Sequence, residues 1–285
     1  IHAHTHTHTH THAYTYTLNP QTHTLSTQRK EFLGFLFFVF FLFFAKMAST
    51  EEEARERAAK SHWVALESNP VSLSKFAHSI GASEEFAFSD AWGLDEEMLS
   101  FQPQPVLAVI FLFPTSKCCR DDSAKVVKTE DVWFMKQLVG NACGTVAVVH
   151  ALANNRDTIT LKEDSVLNKF LIETKDKSPL DRGIGFGEAK GIEAVAEQVA
   201  TDATENQTAA PAADDSIDCH FIAFTRVGEN LYELDGRYEG PIDHGKTTAE
   251  TFLKDAVAVI QKNFIAKNPE ENFFSVLTLG PPRED

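Results

Sequence analysis

The 285-residue sequence predicts an α+β domain. Three patterns indicate this class: helical spacings of apolar residues before residue 81 and after residue 143, an uninterrupted apolar run at residues 106–113, and a hairpin pattern at residues 220–234. The chain runs from helices to a central strand, then to a helix headed by a cysteine, and then to a group of strands. Because most strands are grouped and do not alternate regularly with helices, the α+β class is favoured.

The first clear elements are a helix and a buried strand. Val71, Leu73, Phe76 and Ile80 recur at helical spacing, and we expect this helix to end at Gly81. Residues 106–113 are continuously apolar over the length of one strand. Such a run fits a central strand that is buried on both faces, although periodicity alone does not exclude a helix.

The middle of the chain is predicted to be largely helical. Residues 143–154 predict a buried helix, in which we interpret His150 as a core histidine. Residues 157–197 have helical patches that are interrupted by the alternate glycines of residues 183–188. These glycines match neither phosphate-binding pattern, so we interpret residues 183–188 as a flexible connection. Residues 201–218 predict a loop whose length of about 18 residues is typical of a functional lid or of disorder.

The last third of the chain predicts strands. Residues 220–227 and 231–234 flank the turn Gly228-Glu229-Asn230, as in a β-hairpin. A helical pattern follows at residues 248–264, and residues 273–279 predict a closing strand.

Residues 1–46 differ from the rest in composition. They contain an alternating His-Thr tract and a Phe- and Leu-rich run, and the first methionine is Met47. We expect this leader to be translated upstream sequence or an artefact, and we expect residues 47–285 to form the functional domain. A secretory signal, a membrane anchor and a metal-binding tail are the alternatives. The apolar run of 14 residues is shorter than the ~20 that span a bilayer.

The charge of the chain argues against two classes of partner. The net charge is −15, and because residues 1–46 carry +2, residues 47–285 carry −17. Nucleic acids and anionic membrane surfaces would repel so acidic a domain, whereas a basic partner would suit it. We therefore expect no nucleic-acid partner and no membrane association.

The four cysteines indicate free thiols. Cys118 and Cys119 are adjacent, where a mutual disulfide would be strained, and Cys143 and Cys219 complete the set. No spacing resembles a zinc site, so no metal or other cofactor is expected. Free thiols are typical of a reducing compartment, which predicts a cytoplasmic protein.

Cys143 is the candidate nucleophile. It lies where a turn runs into an apolar helix, and the dipole at a helix N-terminus stabilises a thiolate. A small buried structural cysteine fits the local sequence equally well. A nucleophilic cysteine also needs a base and a group that orients the base.

Three further residues complete a candidate site. His220 opens a predicted strand and Asp235 ends the next one, so an antiparallel hairpin would bring the two side chains together. Gln137, six residues before Cys143, has a side-chain amide that could stabilise an oxyanion. Considered singly, these would be a strand-edge histidine, an Asp-Gly turn and a surface glutamine.

The surrounding residues resemble the ubiquitin carboxyl-terminal hydrolase family. The resemblance covers about residues 60–280 in four blocks that occur in the family's order. These blocks are residues 63–70 (WVALESNP), 105–114 (PVLAVIFLFP), 137–155 (QLVGNACGT to HALANN), and 220–237 (HFIAF to LYELDGR). Residues 183–188 match the family poorly.

This resemblance implies a papain-like cysteine protease fold with a central antiparallel sheet, flanking helices and a knotted chain. It implies that Cys143 is the nucleophile, His220 the general base and acid, Asp235 the residue that orients the histidine, and Gln137 the oxyanion donor. Residues 201–218 lie where the family has a loop that crosses the active site and limits the size of the leaving group.

The implied function is thiol-dependent hydrolysis at the C-terminal glycine of ubiquitin, which releases small or flexible adducts and processes precursors. The implied partner is ubiquitin, and ubiquitin-like proteins are a further candidate. We expect the protein to be a monomer. The alternative is a protein that binds and stabilises ubiquitin with little turnover. An unrelated papain-like protease would need an Asn in place of Asp235.

Overall fold

The computed structural model describes residues 32–33, 35–39, 50–116 and 125–283. The chain divides into two compact units, Ile1–Glu53 and Ala54–Asp285. In the first unit, residues 32–33, 35–39 and 50–53 are helical. The His-Thr tract, Cys118 and Cys119 lie outside the described residues, and the predicted boundary at residue 47 stays a prediction.

The predicted helices and strands of the second unit occur in the predicted order, and a short helix at residues 96–100 and strands at residues 87–90 and 242–246 are additional. The helices are α1 (residues 54–60 in this unit), α2 (Pro70–Ile80), α3 (Glu96–Ser100), α4 (Cys143–Ala153), α5 (Val166–Glu173), α6 (Pro179–Gly187), α7 (Lys190–Ala200) and α8 (Phe252–Ile260), which a π-helical turn (Gln261–Ile265) extends. The strands are β1 (Ala87–Asp90), β2 (Ala108–Pro114), β3 (Cys219–Val227), β4 (Asn230–Leu234), β5 (Ile242–Lys246) and β6 (Ser275–Gly280).

The strands form one antiparallel sheet in the order β1-β6-β2-β3-β4-β5. β2 lies inside this sheet, where β3 and β6 pair with its two sides. The α+β class and the central antiparallel sheet are therefore confirmed.

Hydrophobic clusters cover both faces of the sheet. Ala108 and Ile110 of β2 pack into the larger cluster, which includes residues of α2, α4, α5, α6 and α7. Val109, Phe111 and Phe113 pack into the other cluster with residues of α8. Because successive side chains of a strand point to opposite faces, a strand between two clusters must be apolar throughout. This explains the continuous apolar run.

The interpretation of residues 183–188 as a flexible connection is wrong. Gly183, Gly185 and Gly187 all lie in α6, whose N-cap Ser178 accepts a hydrogen bond from the Asp181 amide. A Cβ on Gly183 would lie 2.1 Å from the carbonyl oxygen of Lys136. This glycine is therefore present because the backbone of another segment packs directly against the helix.

Candidate active site

The candidate nucleophile is the first residue of α4. The preceding Asn141 has φ of 58°, which turns the chain into the helix. Gly140 donates a backbone hydrogen bond to Ser61 (2.9 Å) and accepts one from Trp63 (3.0 Å). The segment before α2 thus fixes the turn, and the Cys143 thiol lies at the helix N-terminus as the sequence predicts.

The candidate base and its orienting carboxylate come from the β3–β4 hairpin. The Nε2 atom of His220 lies 2.7 Å from Oδ1 of Asp235, and both side chains are at most 3% exposed. The Arg237 amide also donates to Oδ1 of Asp235 (2.9 Å). The ring of Phe113 packs edge to face against the imidazole, with 5.8 Å between the two ring centroids. Because Nε2 is hydrogen-bonded to Asp235, Nδ1 is the imidazole nitrogen that can accept the proton of the Cys143 thiol.

The Cys143 thiol and the His220 ring shift each other's pKa. Burial raises the pKa of Cys143, but hydrogen bonding and the charge of His220 outweigh it, so the pKa is lowered overall. Burial lowers the pKa of His220, but the hydrogen bond to Asp235 and the nearby Cys143 thiol outweigh that effect and raise it. These opposite shifts favour a thiolate beside an imidazolium, which is the reactive form of a cysteine nucleophile.

The candidate oxyanion donor is attached to the same hairpin through its backbone. The Gln137 amide nitrogen of the main chain donates to the Gly236 carbonyl (2.8 Å), one residue after Asp235. Its side-chain Nε2 donates to the Val139 carbonyl (3.1 Å). Nε2 carries two hydrogens, so one remains for a reacting oxygen. The structure thus brings Cys143, His220 and Asp235 together and fixes Gln137 beside the turn that follows Asp235.

A cleft of about 210 Å³ opens beside the thiol. One wall comes from the segment before α2 and another from the loop of residues 201–218. Its lining residues include Leu66, Glu67, Cys143, Thr208, Pro211 and Phe221. Residues 201–218 contain no helix or strand, as predicted.

Two residues that the sequence did not single out hold this loop. The Glu67 carboxylate accepts hydrogen bonds from the amides of Gln207 and Thr208 (both 2.9 Å) and from the Thr208 hydroxyl (2.6 Å). Burial raises the pKa of Glu67, but these hydrogen bonds lower it overall. The side chain of Asn141 donates to two carbonyls farther along the loop, at residues 213 and 215. No local pattern marks such long-range contacts.

Cys219 lines the same cleft but differs from Cys143 in its electrostatics. Burial and the neighbouring Asp218 raise the pKa of Cys219, so its thiol stays protonated where that of Cys143 ionises. Both cysteines are free. Within the described ranges, no three His, Cys, Asp or Glu side chains are grouped so that they could hold a metal ion.

Comparisons with known proteins agree with this geometry. Residues 63–266 match the family model described as "Ubiquitin carboxyl-terminal hydrolase, family 1". A ubiquitin carboxyl-terminal hydrolase from Aplysia californica is 39% identical over 216 residues, which are 75% of this chain and 99% of that protein. Human ubiquitin carboxyl-terminal hydrolase isozyme L1 is 37% identical over 221 residues, covering 75% of this chain and 96% of that protein.

One similar solved structure is the Trichinella spiralis UCH37 catalytic domain bound to ubiquitin vinyl methyl ester. It has a TM-score of 0.65 and 21% identity, and the match covers 81% of this chain and all of that one. This likeness confirms the predicted papain-like fold, whereas the knotted path of the chain stays a prediction. The family model and the relatives together show that the chain belongs to the ubiquitin carboxyl-terminal hydrolase family.

Proposed function

We propose that this protein is a cysteine-type deubiquitinating peptidase that hydrolyses amide or ester bonds at the C-terminal glycine of ubiquitin. The observation that carries the proposal is the Cys143–His220–Asp235 arrangement, in which the pKa of the thiol is lowered and that of the imidazole is raised. The names of the relatives supply the substrate, since each is called a ubiquitin carboxyl-terminal hydrolase.

The reaction is acyl transfer through a thioester. The Cys143 thiolate attacks the carbonyl carbon of the terminal glycine of ubiquitin, and the oxyanion receives hydrogen bonds from Gln137 and a backbone amide. His220 gives its proton to the departing amine. It then takes a proton from water, which attacks the thioester and releases the ubiquitin carboxylate. Asp235 holds the ring and stabilises its protonated form.

Two features support ubiquitin as the partner, and a third indicates the size of the leaving group. The similar UCH37 structure has ubiquitin vinyl methyl ester bound. Residues 47–285 carry a net charge of −17, which suits the basic C-terminal tail of ubiquitin. The loop of residues 201–218 lines the cleft beside Cys143, so small or flexible adducts and short precursor extensions are the expected leaving groups.

Other attributes stay predictions from the sequence. These are activity on other ubiquitin-like proteins, a monomeric state, the lack of a nucleic-acid partner and a cytoplasmic location. In the portion of the chain that the structure describes, no helix combines the length and apolar character that a membrane span requires.

Turnover of a fluorogenic amide of the ubiquitin C-terminus tests the proposal. The wild-type chain should release the fluorophore, and Cys143→Ala should bind the substrate without releasing it. The alternative function, a ubiquitin-binding protein with little turnover, predicts equal binding and negligible release by both chains.

A further inference from the structure

The oxyanion candidate lies at the end of a segment, residues 133–137, that belongs to no helix or strand. Several elements bind its backbone. The Arg182 guanidinium of α6 donates to the Phe134 carbonyl (3.0 Å), and the Met135 amide donates to Nε2 of His150 in α4 (3.1 Å). The Lys136 amide donates to the Pro179 carbonyl (2.9 Å). The segment is thus fixed by side chains and backbone of α4 and α6.

Asn154 makes the most complete of these attachments. Its Oδ1 accepts from the Trp133 amide and its Nδ2 donates to the Trp133 carbonyl, both at 2.8 Å. Nδ2 also donates to the His150 carbonyl (2.9 Å), which orients the side-chain amide on its own helix. The asparagine side chain therefore pairs with Trp133 as a neighbouring strand would.

Asn154 is the C-cap of the helix that begins with Cys143. One rigid helix thus carries the nucleophile at its start and, at its end, the amide that fixes the segment of Gln137. The helix that carries the thiol is therefore hydrogen-bonded through Asn154 to Trp133, four residues before the oxyanion donor. A misplacement of about 1 Å between thiol and oxyanion donor can lower the rate about 100-fold.

We propose that Asn154 is a positioning residue for the oxyanion donor, acting through residues 133–137 on Gln137. This inference rests on the proposed function, because it assigns a task in the same reaction. Asn154 itself lies at the far end of α4 from the thiol and touches no reacting atom.

The next residue provides a matched control. Asn155 has the same side chain, but its Nδ2 donates to the Ala151 carbonyl (2.8 Å), the Leu107 carbonyl (3.3 Å) and the Thr225 hydroxyl (3.1 Å). It therefore ties α4 to the sheet and makes none of its hydrogen bonds to residues 133–137. Asn155→Ala should weaken the fold by a similar mechanism without moving Gln137.

The test is a kinetic cycle on the fluorogenic ubiquitin amide, with rates expressed per correctly folded molecule. We expect Asn154→Ala to lower kcat about 10- to 100-fold with little change in KM. Asn155→Ala should keep kcat within about threefold. Gln137→Ala should lower kcat about 10²–10³-fold, as loss of an oxyanion donor does. The Asn154→Ala/Gln137→Ala double variant should be no slower than Gln137→Ala alone.

Equal losses of kcat in the two asparagine variants, or fully multiplicative effects of Asn154→Ala and Gln137→Ala, would overturn the proposal. If Asn154→Ala does not fold, Asn154→Asp replaces it, since the carboxylate still accepts from Trp133 but cannot donate to its carbonyl. Lack of turnover by the wild-type chain would instead refute the proposed function, so the two failures are distinguishable.

Discussion

The helix α6 offers a paired substitution with opposite expected effects on stability. A Cβ on Gly183 would lie 2.1 Å from the Lys136 carbonyl oxygen and 3.1 Å from its carbon. A Cβ on Gly185, two residues later, would meet its nearest neighbour, a methyl group of Thr174, at 3.7 Å. Gly183→Ala therefore forces a backbone to move, whereas Gly185→Ala fits without displacement.

The magnitudes follow from these distances. Alanine is favoured over glycine inside a helix by about 0.5–1 kcal/mol, so Gly185→Ala should raise the free energy of unfolding by about that amount. Gly183→Ala gains the same helix propensity, but overpacking against Lys136 costs about 1–3 kcal/mol. The displaced backbone also weakens the hydrogen bond between Lys136 and Pro179, which contributes about 1 kcal/mol. We expect a net loss of about 2 kcal/mol for Gly183→Ala.

Thermal unfolding of the two variants is the assay. A change of 1 kcal/mol shifts Tm by about 2–4 °C in a domain of this size, so Gly183→Ala should lower Tm by about 4–8 °C and Gly185→Ala should raise it by about 1–4 °C. Because Lys136 precedes Gln137, Gly183→Ala should also reduce kcat. Equal shifts of Tm in the same direction would refute the packing of α6 on Lys136.

Three other substitutions test the catalytic histidine, a buried core histidine and the attachment of the 201–218 loop. Asp235→Asn should lower kcat at least about 100-fold and move the alkaline limb of the kcat profile to lower pH, because His220 loses the carboxylate that raises its pKa; an unchanged profile would contradict this. Burial lowers the pKa of His150 to about 4, so stability should fall by about 3 kcal/mol as pH drops from 6.5 to 4. Denaturant titrations of His150→Gln should show a smaller loss of the free energy of unfolding over this pH range. An equal loss would show that protonation of His150 is not its cause. Glu67→Gln should speed amide hydrogen exchange at residues 207–208 about tenfold, since one acceptor oxygen is lost; unchanged exchange would show that Glu67 does not hold the loop.

The sign of the His150 effect follows from its lowered pKa. The folded state resists protonation of this buried ring, so the unfolded state binds more protons between pH 6.5 and about 4. The contribution of neutral His150 to the free energy of unfolding is therefore fully present above the pKa of the unfolded state. It is lost as pH falls towards the pKa of the folded state.

The parts of the fold that depend on local pattern could be predicted from the sequence. The apolar run at residues 106–113 indicated a strand buried on both faces, and β2 lies between two hydrophobic clusters. The hairpin pattern around Gly228 placed His220 and Asp235 side by side, and their side chains are 2.7 Å apart. The alternation of side chains along a strand determines the first outcome, and the antiparallel pairing of two strands across a short turn determines the second.

Features set by distant contacts could not be predicted in this way. The glycines of α6 suggest a break in the helix until the approach of Lys136 is known. β5 contains Asp243 and Gly245, which disfavour a strand, and it forms because β4 offers a free edge. The attachment of the 201–218 loop to Glu67 joins residues about 140 positions apart, and no periodicity reports such a pair.

The most direct test of the central claim is to map where ubiquitin vinyl methyl ester attaches to the 285-residue chain. Its electrophilic C-terminus captures the thiolate that attacks the terminal carbonyl of ubiquitin. Mass spectrometry should place the adduct on Cys143 in the wild type and in Cys219→Ala, and should find none in Cys143→Ala. An adduct on Cys219, or no adduct with intact ubiquitin binding, would contradict the assignment of Cys143 as the nucleophile.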